Sequence, residues 1–140
     1  MSLHDHAAVV GSEVSLTTIQ EMGVEQWSEA VVSLLAGLVR ELCPHGLLLG
    51  HFKASLGLGA GFIYANTTGG SPVVRTSEGL PAHASDARLK VALIAYELDV
   101  EVVRKAFDEM LQRMLEGWEL KGEAKSALGE CGMDEDEIPS

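Results

Sequence analysis

Residues 46–64 read GLLLGHFKASLGLGAGFIY, two oily runs on either side of a glycine cluster. No other stretch limits the fold as strongly. Alternate side chains of a strand share a face. Leu48, Gly50, Phe52, Ala54 and Leu56 therefore form one face, and Leu47, Leu49, His51, Lys53 and Ser55 the other. The first face is wholly apolar and suits a layer of helices. The second is apolar at one end and polar at the other, the pattern of a strand covered only in part on that side. Gly57, Gly59 and Gly61 raise the alternative of a phosphate-cradling loop. A dinucleotide fingerprint needs a helix after its glycines. Here the next residues are FIYAN, which read as strand, and the spacing is GxGxG. The stretch is expected to be a hairpin, with glycine supplying the positive φ of a tight turn.

The flanking segments extend this start. Val24, Trp27, Val31, Leu34, Leu35, Leu38 and Leu42 recur at three- and four-residue steps, one apolar face of a helix that ends before Pro44. TTGGS at 67–71 is a turn by composition, and PVVRTS at 72–77 a short edge strand, since Pro72 cannot donate to a ladder. Residues 78–88 are polar without a period and read as a loop. LKVALIAYEL at 89–98 is apolar on both faces and reads as a central strand. Asp99 is placed to cap a second amphipathic helix through Val103, Phe107, Met110 and Met114.

The expected order is α-β-β-β-β-α. It lacks the alternation of a doubly wound parallel sheet. The expected fold is α+β, a two-layer sandwich of a mainly antiparallel sheet of about four strands with two amphipathic helices on one face. Its core spans 24–118. Residues 1–23 give no clean period and are expected to be an arm of uncertain structure. Residues 119–140 are expected to be a polar acidic tail, partly disordered, with a short helix near 123–128.

A chain of 140 residues is one domain, large enough to bury a core without disulfides or metal. No apolar run approaches the roughly 18 residues that a spanning helix needs. The first residues also lack the basic region of a secretory signal. A cytoplasmic, soluble protein without membrane partner is expected. The net charge of −11 disfavours a nucleic-acid partner. Five of the acids, however, are concentrated in 130–137.

No motif implies a cofactor, a metal or a catalytic residue. Cys43 and Cys131 are far apart, with no CxxC spacing. Cys43, His45 and His51 do not form a set of four convergent zinc ligands. Neither Ser55 nor Ser71 stands in a nucleophile elbow.

Two functions remain in view. The first is a non-enzymatic binding or assembly domain, working as a homo-oligomer through its sheet, with two-fold pairing the commonest arrangement. Leu47, Leu49, Val91 and Leu93 are its expected interface, because helices on one face leave apolar residues on the other to be covered. The alternative is a small-molecule enzyme or sensor that binds an anionic ligand at the polar end of the same face. His51, Lys53, Arg75 and His83 would hold the anion, and 78–88 would form a lid. A third reading, with Phe62 or Tyr64 stacking on nucleic-acid bases, is ranked below both by the charge.

Overall fold

The computed structural model describes residues 7–43 and 50–128, with backbone alone for 124–128. Its elements are β1 (Ala7–Gly23), α1 (Val24–Leu42), β2 (Gly50–Leu58), β3 (Gly61–Thr67), β4 (Val73–Thr76), β5 (His83–Tyr96), α2 (Val100–Gly117) and β6 (Leu120–Leu128). They build one antiparallel sheet of six strands in the order β4-β3-β2-β5-β1-β6. Both helices pack on one face of it. The fold is thus α+β with two layers, but the sheet is wider than four strands and the order is β-α-β-β-β-β-α-β.

The two extra strands come from the chain ends. β1 occupies most of the segment read as an arm, and β6 lies where a short helix was expected. Ala8, Val10, Val14 and Leu16 of β1 are buried at alternate positions. Ser12 on the same side and Val9 on the other blur that alternation in the sequence. The register is resolved only by pairing, with Val10 opposite Leu93 and Val14 opposite Leu89. β5 likewise begins at His83 within the expected loop, because the later half of β1 supplies partners for its polar start, Thr17 opposite Asp86 and Met22 opposite Ala84.

β1 and β2 both run antiparallel to β5, which lies between them, so β1-α1-β2 is a split β-α-β unit. β5-α2-β6 is a second, divided by β1. Two interlocked units of this kind make a ferredoxin-like core, here extended on one side by the hairpin strands β3 and β4.

The core lies between sheet and helices. Trp27, Leu34, Leu35 and Leu38 of α1 and Val103, Phe107 and Met110 of α2 meet Phe52, Leu56, Ile63, Leu89 and Leu93 of the sheet. The helices approach closely where Gly37 faces Met110, since a Cβ at Gly37 would stand 2.8 Å from the methionine sulfur. Three bonds hold the start of α1. Gln26 Oε1 accepts from Gly23 N–H at 2.9 Å, Val24 N–H donates to Ala82 O at 3.2 Å, and Trp27 Nε1–H donates to Ala84 O at 3.1 Å. Asp99 caps α2 by accepting from Glu101 N–H at 3.0 Å.

GLGAG is a turn. Leu58 pairs with Gly61 across a two-residue connection, and Gly59 has φ of +58°. Gly61 is required for a second reason, because a Cβ there would meet Leu80 N at 2.6 Å.

Trp27 is fully buried and also carries a hydrogen bond. Trp27→Phe, which keeps an aromatic ring but removes the donor, is expected to lower unfolding free energy by about 1–3 kcal/mol. Trp27→Ala is expected to cost about 3–5 kcal/mol. Urea unfolding curves measure both, and an unchanged stability in Trp27→Phe would show that the bond to Ala84 contributes nothing.

Candidate functional site

With the helices on one side, the other side of the sheet is an ordered grid of side chains. One row across it is Ser15, Arg88, Gly57 and Phe62. The next is Glu13, Lys90, Ser55, Tyr64 and Arg75. A third is Gly11, Ala92, Lys53, Asn66 and Val73, and His51 follows opposite Ile94. The alternation that buries Phe52, Ala54, Leu56 and Leu58 under the helices sends His51, Lys53, Ser55 and Gly57 to this face.

The face gathers positive charge in an acidic chain. Among the described residues, Lys53, Arg75, Arg88, Lys90 and Lys121, five of the chain's ten lysines and arginines, lie on it against three carboxylates, Glu13, Asp86 and Glu123. Arg88 Nε stands 3.5 Å from Glu13 Oε2. That pair is open to water and adds little to stability. Neither Lys53 nor Arg75 forms an ion pair among the described residues.

Two depressions mark the face. One, of about 250 Å³, is lined by His51, Lys53, Tyr64, Asn66 and Arg75 with Ala54 and Ala65. The other, of about 570 Å³, runs over Ser55 and Gly57 between Phe62 on one side and Arg88 and Lys90 on the other. Phe62 lines the larger depression and Tyr64 the smaller. Their rings are 5.8 Å apart and 17° from parallel. The backbone beneath Phe62 is clamped, since its N–H donates to Ser77 Oγ at 2.8 Å and its carbonyl accepts from Ser77 N–H at 2.9 Å.

The structure brings together three of the four residues read as an anion site, His51, Lys53 and Arg75. His83 is elsewhere. It pairs with Gly23 at the start of β5, eleven residues from Ile94, the partner of His51, or roughly 35 Å of strand. Val91 and Leu93 lie on the helix side, at 1% and 0% exposure, and are already covered. Ala92 and Ile94 take the other face. Leu47 and Leu49 lie outside the described residues. Tyr64 and Asn66 complete the lining of the smaller depression, while Ser55 and Lys90 line the other. Only strand register, not sequence spacing, assigns these residues to their places. Among the described residues, no three His, Cys, Asp or Glu side chains are grouped to hold a metal ion, and no helix is long and apolar enough to cross a membrane.

No family model matches the chain, and no curated protein does. One similar solved structure is a hydantoinase/carbamoylase family amidase from Burkholderia ambifaria, at 12% identity and a TM-score of 0.49. The match covers 89% of this chain and 28% of that protein. A likeness of that extent carries no argument about activity.

Cys43 is remote from this face, at the end of α1, where its N–H donates to Val39 O at 2.7 Å. Burial pushes its thiol pKa up. Folding therefore favours the neutral thiol, and this contribution is complete below the unfolded pKa and lost as pH rises through the folded one. Cys43 is expected to react with a thiolate-selective reagent about tenfold more slowly in the folded chain than in urea at the same pH. Peptide mass mapping reads the rate at Cys43 itself, and equal rates would refute its protection.

Proposed function

We propose that this chain is a non-enzymatic binding domain whose sheet face away from the helices takes a small anionic ligand at His51, Lys53, Tyr64, Asn66 and Arg75. One observation carries the reading. Lys53 and Arg75 line one cavity that has no carboxylate in its wall among the described residues. Two cations facing a shared space without a counter-charge favour an anion between them. Tyr64 and Asn66 add a hydroxyl and an amide for hydrogen bonding. Lysine supplies a compact charge and arginine a planar fork, a combination suited to phosphate or carboxylate.

Lys53→Ala combined with Arg75→Ala is expected to weaken binding of inorganic phosphate more than tenfold while leaving the melting temperature within a few degrees. Calorimetric titration measures the affinity. Unchanged affinity would remove both residues from the site.

A second reading, self-assembly through the sheet, draws on β4. This edge strand is exposed along its whole length, with Val73 at 58% and Val74 at 36%. An edge of that kind can pair with a second copy. Native mass spectrometry is then expected to find a dimer that Val74→Asp converts to monomer. A monomeric unmodified chain would end this reading.

A further inference from the structure

We infer that the helix layer holds a separate binding site, a groove between α1 and α2 that takes a small aromatic carboxylate. The groove has a volume of about 230 Å³. Its floor is apolar, with Leu34, Met110 and Met114 at 2%, 7% and 5% exposure. Gly37 opens it. A Cβ there would stand 2.8 Å from Met110 Sδ and 3.9 Å from Arg40 Nη2, so thioether and guanidinium both border the space that the missing side chain leaves. Exposed Arg40 on α1 and Arg113 on α2 line the same groove, and half-buried Trp118 lines it from the end of α2. The groove shares no lining residue with the sheet-face cavity at Lys53 and Arg75 and does not depend on the anion reading there.

Charge selects an acid. α1 carries three carboxylates and one arginine, and α2 four carboxylates and three basic side chains. None of these carboxylates lines the groove, whereas two of the bases do. Neither Arg40 nor Arg113 forms an ion pair among the described residues. A carboxylate there has two guanidinium groups for counter-charge, each able to bond it through a planar fork. The floor selects the rest of the ligand. Buried apolar residues and two thioethers favour an aromatic ring, which gains from contact with methionine sulfur and with a guanidinium face. They disfavour free phosphate, whose strongly hydrated charge would find no polar partner on that floor. Size agrees. An apolar cavity of ~150 Å³ holds benzene, so about 230 Å³ leaves room for one ring and a short acid chain.

The test is calorimetric titration of the full chain with phenylacetate, phenylacetamide and acetate. Phenylacetate is expected to bind about tenfold or more tightly than either the neutral amide or the ring-free acid. Arg40→Ala combined with Arg113→Ala is expected to remove its advantage over the amide. Circular dichroism checks that this variant folds; should it not, Arg40→Gln with Arg113→Gln takes its place. The chain has two tryptophans, and Trp27 is fully buried in the core. Phenylacetate is therefore expected to change the fluorescence of Trp118, and Trp118→Phe to silence that change while calorimetric binding persists. No advantage of phenylacetate over the amide and acetate overturns the inference. So does an advantage that survives loss of both arginines, or a fluorescence change that survives Trp118→Phe. Lys53→Ala combined with Arg75→Ala is expected to leave phenylacetate affinity unchanged. A loss there would move the probe to the sheet face and overturn the groove, whatever phosphate does at that face.

Discussion

The pairing of β1 with β5 supports the rest of the molecule. β1 lies between β5 and β6, and β5 in turn carries β2, so the ladder from Ala7–Tyr96 to Gly23–His83 joins the two split β-α-β units. The apolar side of that ladder, with Val10, Val14, Leu89 and Leu93, forms a surface on which both helices rest. Without β1, β6 would have no partner and the inner side of β5 would lose its neighbour. Backbone bonds and side-chain burial thus depend on the same strand, and each reinforces the other.

Among the described residues, both helices lie on one side of the sheet; on the other, Ser55, Ala92 and Ile94 are buried while Phe62, Arg75 and Arg88 are exposed. This asymmetry produces the site. On the covered side, strands must alternate large apolar residues to fill the space beneath Trp27 and Phe107. On the other side packing makes no such demand, and cations, hydroxyls and aromatic rings are free to stand in register. Pairing then brings together residues distant in the chain: Lys90 beside Ser55, Ser55 beside Tyr64, Tyr64 beside Arg75. A site built on strands is also more rigid than one built on loops. The Ser77 clamp on Phe62 and the turn at Thr67, whose Oγ1 donates to Gly70 O at 2.7 Å, fix β3 at both ends.

Much of this was legible residue by residue. The stripe from Trp27 to Leu42 specified α1, and Asp99 marked the start of α2, because a helix period and a cap are local signals. His51 and Lys53 declared their shared face through alternation. Arg75 could be suspected as their neighbour but not assigned. His83 shows the limit, since a charged residue in a polar stretch carries no indication of which end of a sheet it will occupy. Val91 and Leu93 show another. A strand that is apolar on both faces does not reveal which face the helices cover, and the structure gives the helix side to Val91 and Leu93 and the other to Ala92 and Ile94.

The amino-acid sequence by itself determined the two helices, the glycine turn, the short edge strand and the antiparallel class of the sheet, because each follows from contacts within a few residues. Only the tertiary structure decided that segments 7–23 and 120–128 join the sheet, that β1 is an interior strand, and that Lys53, Tyr64 and Arg75 face one cavity. Those outcomes depend on long-range strand pairing. A polar or irregular segment such as 7–23 or 120–128 has weak local preference, and it becomes a strand when a neighbouring ladder satisfies its backbone groups.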